Sequence, residues 1–131
     1  MSKPASGLFT NTSIVWAHIK STQDCYSGTK LPQSFEIATP AGKVWTHGNA
    51  TEHIYEAILS IKADPAIKNS NPNMYTQFIL YDYWKSLGTA IGKEIKYETK
   101  ITQGQWEFIL AKPRGEGKFP MVKHAKFNGL K

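Results

Sequence analysis

The sequence predicts an α+β fold, an N-terminal hairpin and two helices packed on a small antiparallel sheet. Three observations carry this. Two β-rich runs flank Pro40-Ala41-Gly42, two stretches with apolar residues at helical spacing follow, and from Ile95 apolar residues recur at every second position. A length of 131 residues suits one domain able to bury a core without staples. The expected division is a linker tail over residues 1–10 and a single domain over 11–131.

Taken in order, Met1 to Thr10 has one lysine and no apolar h-region, so it is not expected to be a secretory signal. Ser13 to Ile19 is apolar enough for a short helix or strand, and periodicity does not choose between them. Asp24 to Pro32, with its Ser, Gly, Thr and Pro, reads as loop. Ser34–Thr39 and Lys43–His47 then form the hairpin, with Val44 and Thr46 on one face and Lys43, Trp45 and His47 on the other. Gly48 breaks the strand. Asn49 is placed to N-cap a helix, with Glu52 completing a capping box. Ile54, Ala57, Ile58 and Ile61 share one face of that helix, and Asp64-Pro65 stops it.

Residues 66–73 read as loop. A second helix runs from about Met74 to Gly92, with Phe78, Tyr81, Trp84, Leu87 and Ile91 as an aromatic-rich core stripe and the glycines as a C-cap. Ile95, Tyr97, Thr99 and Ile101 alternate with charged residues as a strand, followed by a turn at Gln103-Gly104-Gln105. Trp106 to Ala111 is the next strand and Pro113 to Gly117 the next turn. Phe119 to Phe127 forms the last strand, with Val122, His124 and Lys126 expected on one face.

Net charge is +6 and the pI about 9.4. Five of those six net charges fall in residues 112–131, where Lys112, Arg114, Lys118, Lys123, Lys126 and Lys131 face Glu116 alone. So asymmetric a field suits a polyanion such as nucleic acid, or an acidic protein. No apolar run approaches the roughly 18 residues of a membrane span. The one cysteine, Cys25, cannot form an internal disulfide and has no histidine near it in sequence, so a buried or bland thiol is expected.

HExxH, paired-cysteine and Asp-x-Asp patterns are absent, as are the GxxxxGK[ST], GxGxxG and GxSxG motifs. No metal or cofactor is therefore expected. What remains is histidine, lysine, arginine and hydroxyl groups around a turn. His47 ends a strand and His53 lies in the first turn of the following helix, where free N–H groups can hold a phosphate and the helix field disfavours imidazolium. Thr51 adds a hydroxyl on that turn. Arg114 is the single arginine among sixteen basic residues, and its planar fork can hold phosphate oxygens bidentately. His124 lies in the next strand. These groups fit metal-free RNA cleavage, with His53 and His47 as base and acid in either order, Arg114 and a lysine clamping phosphate, and a 2′,3′-cyclic phosphate as product. DNA, lacking the 2′-OH, would be spared.

"VWTHGNATEH", then "GQWEFILAKPR", then "FPMVKHAKF" resemble bacterial polymorphic toxin domains of the barnase, EndoU, colicin and RelE (BECR) type, found at the C-terminus of contact-dependent growth-inhibition proteins. The resemblance spans roughly Leu31 to Phe127. It implies helices on a small antiparallel sheet whose face cuts RNA, commonly tRNA or rRNA. It also implies an acidic cognate immunity protein, and delivery from a secreted or surface parent into the cytoplasm of a target bacterium. By position His47, Asn49, Thr51 and His53 match the family's junction, and Trp106, Arg114 and His124 its closing strands. The resulting candidate catalytic residues are His47, His53, Arg114 and His124. Asn49, Thr51, Trp106, Lys112, Lys123 and Lys126 are the candidate substrate contacts.

Two other readings stay open. A non-catalytic nucleic-acid or protein-binding module would use the same basic tail and its interleaved aromatics. A DNase toxin would need a metal, against which the scattered carboxylates argue.

Overall fold

A computed structural model describes residues 13–63 and 72–128. The tail expected over residues 1–10, Asp64-Pro65, the 66–71 part of the expected loop, the side chain of Ile61 and Lys131 lie outside the described residues. A 3-10 helix, Ser13–His18, leads into β1 (Ile19–Lys20); β2 (Phe35–Thr39) and β3 (Gly42–Thr46) follow. Then come α1 (Gly48–Ala63), α2 (Pro72–Ile91), β4 (Ile101–Gln103), β5 (Trp106–Ala111) and β6 (Met121–Phe127). The α+β class holds. All six strands join one sheet in the order β1-β2-β3-β6-β5-β4.

The predicted hairpin is β2–β3, paired from Phe35↔Thr46 to Thr39↔Gly42. It turns at Pro40-Ala41, and Gly42 takes φ 111°, a backbone that side-chain-bearing residues rarely adopt. The hairpin is not a separate layer, however, and the sheet is mixed rather than antiparallel. Trp45↔Met121 and Thr46↔Val122 pair in parallel, so the hairpin is stitched to the C-terminal strand. Parallel neighbours need a long crossover, and here α1, α2, β4 and β5 together supply it.

Alternation along the strands separates two faces. Phe35, Ile37, Val44, Trp106, Phe108, Leu110, Val122 and Ala125 are buried with Ala50, Ile54 and Ile58 of α1 and Ile79, Leu80, Tyr83, Leu87 and Ile91 of α2. The other face carries Glu36, Lys43, Trp45, Glu107, Ile109, His124 and Lys126, all half-buried or exposed. Tyr83 is the hub of the core. Its ring lies 5.3 Å from Trp106, 5.8 Å from Phe108 and 6.2 Å from Phe35, and its hydroxyl bonds Thr46 Oγ1 at 2.8 Å. Burial pushes that phenol's pKa well above its ordinary value.

Three expectations change. The core stripe of α2 is rotated: Leu87 and Ile91 are buried as expected, but Phe78 is exposed and Tyr81 and Trp84 are half-buried. Trp84 instead donates its Nε1–H to Ala38 O (2.8 Å) and stacks on His18 at 4.3 Å, closing the rim of the core. The strand expected from Ile95 shrinks to Ile101–Gln103. Glu98 adopts φ 58°, which no ladder accommodates, and its N–H donates to Leu110 O. Finally, Val122 and His124 do not share a face. β5 and β6 slip register between Ile109↔His124 and Leu110↔Val122, leaving Lys123 as the extra residue of a bulge. The bulge turns Val122 into the core and His124 out of it.

Candidate active site

β3 pairs with β6 only through its last two residues, set against the first two of β6; His47 N–H then donates to Val122 O (3.0 Å) and the chain turns into α1. From Lys123 onward β6 therefore has β5 on one side and α1, which packs against it, on the other. That exchange of a strand for a helix is what brings side chains from both ends of the sequence together. His53, in the first turns of α1, meets His124 with ring centroids 5.8 Å apart and planes at 70°.

The surroundings of this pair are charged. His53 Nδ1 lies 3.1 Å from Glu56 Oε1 one turn along α1. An ionised carboxylate can only accept, so Nδ1 carries the proton and Nε2 is the ring's free nitrogen. On the β5 side, Glu107 and His124 are diagonal neighbours on the open face, with His124 Nε2 3.9 Å from Glu107 Oε1. Glu107 is itself held by Lys100 at 3.8 Å and by Asn128 Nδ2, which donates to Oε2 at 3.2 Å. Lys126, the cross-strand partner of Glu107, lines a shallow cavity of about 180 Å3 with His53, Glu56 and Ser60.

Partial burial lowers the pKa of His124, and the neighbouring His53 lowers it further. Glu107 pulls the other way, while Lys100 and Lys126 add to the lowering. Desolvation, the largest of these effects, biases His124 toward its neutral form, in which a ring nitrogen is free to accept a proton. The cluster thus offers a neutral imidazole, a second imidazole with a carboxylate behind it, and cations at its rim. Among the described residues no group of three His, Cys, Asp or Glu side chains is arranged to hold a metal ion.

No protein-family profile and no curated protein matches this chain.

The sequence-predicted residues divide between this cluster and other places. His53, His124 and Lys126 are together. His47 is occupied differently: its Nδ1 accepts the Asn49 N–H (3.0 Å) and its ring packs edge-on against Trp45 at 5.3 Å. It is the N-cap of α1, the task expected of Asn49, which sits inside the helix with an exposed side chain. Thr51 is buried. Its Oγ1 donates to Gln33 O (2.6 Å) and lies 3.1 Å from Tyr26 Oη, so it anchors the 21–34 loop and does not face a substrate. Trp106 is also fully buried, with Nε1–H donated to Asp82 at 2.8 Å. Lys123 is paired with Glu98. Lys112 and Arg114 lie on the exposed loop between β5 and β6, and Arg114 lines a groove with Trp45.

Sequence reasoning missed Glu56, Lys100 and Glu107. Glu56 stands three residues after His53 on a recognised helix, so its contact was readable from helical spacing. Glu107 sits at an outward position of a recognised strand, but its partners depend on a register that periodicity does not contain. Cys25 is exposed rather than buried, its backbone forming an isolated bridge with Pro32 at the surface. No helix among the described residues is long and apolar enough to cross a membrane.

Proposed function

We propose that this protein is a metal-independent endoribonuclease of toxin type, acting at the His53–His124 pair. The single observation that carries the reading is the juxtaposition of two imidazoles, one from α1 and one from β6, each with a carboxylate beside it and with Lys100 and Lys126 around them. In the reaction, neutral His124 takes the proton from a ribose 2′-OH as O2′ bonds to phosphorus. His53, in its protonated form, delivers a proton to O5′ as the P–O5′ bond breaks, leaving a 2′,3′-cyclic phosphate and a 5′-hydroxyl. Lys126 stabilises the phosphorane's charge, and Glu107 and Glu56 orient the two rings. Relative to the sequence-based assignment, His124 takes the place of His47 in the acid–base pair.

The BECR resemblance supports the same substrate and adds tRNA or rRNA as the target, an acidic immunity protein that covers the open face, and delivery into a target cell's cytoplasm. The test is incubation of the purified chain with total bacterial RNA in EDTA, beside His53→Ala and His124→Ala variants and a double-stranded DNA control. Fragments with 2′,3′-cyclic ends, lost in both variants, are expected. RNA that stays intact but is bound at low salt would instead favour a non-catalytic binding module. Cleavage of DNA that depends on added metal would mean a different nuclease.

A further inference from the structure

Two cavities open on the face of the sheet that carries Glu36 and Trp45, and they share these two residues as a wall. One, of about 400 Å3, lies between Glu36 and Trp45 on the strands and Arg114, Lys118 and Phe119 on the loop before β6. The other, of about 660 Å3, lies between Lys20 with the Ser21–Gln23 segment and the same Glu36 and Trp45. Trp45 is half-buried, held from one side by the edge of His47, and borders both spaces. Its cross-strand partner Met121 lies on β6 three residues before His124, roughly 10 Å away at about 3.3 Å per residue. The groove and the imidazole pair therefore occupy one sheet face.

The cations along the groove are available. Lys123 and Lys100 are paired with Glu98 and Glu107, whereas Arg114 and Lys118 form no side-chain ion pair among the described residues. A flat indole in a groove, with an uncommitted guanidinium beside it, matches an unstacked nucleobase and its phosphate: the ring face takes the base and the planar fork takes the phosphate oxygens. A duplex keeps its bases stacked inside and has nothing to offer the indole.

We infer that the Trp45–Arg114 groove is a subsite for a single-stranded nucleotide flanking the bond cut at His53 and His124, with Trp45 stacking on the base and Arg114 holding its phosphate. This rests on RNA being the substrate, and it assigns Arg114 to binding rather than to the reacting phosphate.

The test uses the full chain silenced by His124→Ala, in EDTA, with a fluorescently labelled single-stranded oligoribonucleotide read by anisotropy across a salt series. Adding Trp45→Leu should weaken binding roughly tenfold or more, and Trp45→Phe clearly less. Adding Arg114→Gln should reduce the slope of log affinity against log salt by about 0.7, the signature of one lost phosphate contact on a single strand. Because Arg114 is on an exposed loop, that variant carries the test if Trp45→Leu fails to fold. Binding and salt slope indifferent to both changes would overturn the subsite. So would equal Trp45 dependence with a duplex RNA, or Trp45- and Arg114-dependent binding confined to an acidic peptide. Cleavage by the unmodified chain is scored separately. RNA cut normally while binding ignores Trp45 and Arg114 sinks the subsite alone, and Trp45-dependent binding without any cleavage sinks the nuclease alone.

Discussion

His53 on α1 and His124 on β6 stand edge to face, 5.8 Å between ring centroids, because α1 takes the place beside β6 that β3 gives up after Thr46. Neither ring would reach the other across a continuous strand pair. Under the proposed chemistry, His53→Ala and His124→Ala should each lower cleavage by about 10²- to 10⁴-fold, the usual worth of a general acid or base. Single-turnover rates on a fixed RNA measure this. Rates within a factor of two of the unmodified protein would remove either residue from the reaction.

His47→Ala should separate stability from chemistry. Losing the acceptor for the Asn49 N–H removes the cap of α1, at about 1 kcal/mol. His47→Asn restores an acceptor and should recover most of that loss. Urea melts follow the stability, and single-turnover cleavage at saturating RNA, which is blind to any loosening of Trp45, should stay near normal at a temperature where both variants are folded. A loss of activity matching that of His124→Ala would return His47 to the catalytic pair.

The pH dependence follows from the charges around His124. Its lowered pKa places the rising limb of the rate profile below the ordinary histidine value of about 6.5. Glu107→Gln removes the group that raises it, so the limb should move to lower pH; Lys126→Ala removes one that lowers it, so the limb should move up. Opposite shifts would contradict His124 as the base.

Stability carries the same sign. The folded state disfavours protonated His124 relative to the unfolded chain, so between its folded value and about 6.5 the unfolded state binds more protons. This contribution is fully present above about pH 6.5 and is lost as pH falls through the folded value. His124→Gln should flatten that part of the stability curve, as read by urea melts over the window. An unchanged slope would mean that other groups set it.

In the core, Thr46→Val and Tyr83→Phe should not be equivalent. Thr46→Val leaves a buried phenol hydroxyl without its partner, costing about 1–3 kcal/mol, whereas the double variant removes both polar groups and should recover part of the loss. A double-mutant cycle from chemical denaturation gives the coupling. Strict additivity would show that the pair contributes little.

Much of this fold was legible where a period repeats. Alternation marked β2, β3 and β5, and the spacing of Ile54, Ala57 and Ile58 marked α1. The rotated stripe of α2 arose because apolar residues occur on several of its faces, and only packing on Phe35 and Trp106 selects Tyr83 over Trp84. The parallel seam between β3 and β6 could not be read, since no local pattern records which strand a distant strand will join. The bulge at Lys123 likewise leaves no mark in composition, yet it decides that His124 points to solvent while Val122 does not. Of the candidate cluster, His53, His124 and Lys126 were visible as residue types, and their neighbours Lys100 and Glu107 only through register.

β6 is the last of the described strands in sequence and yet lies in the middle of the sheet. Until Met121–Phe127 is in place, β1–β3 and β4–β5 are two half-sheets without a seam, and α1 has no strand to lie against. Non-local closure of this kind comes late in folding. A nascent chain on the ribosome would therefore hold His53 without His124 until β6 itself has emerged. Under the proposed function, the producing cell gains an interval in which the polypeptide is harmless, long enough for a neutralising partner to be waiting.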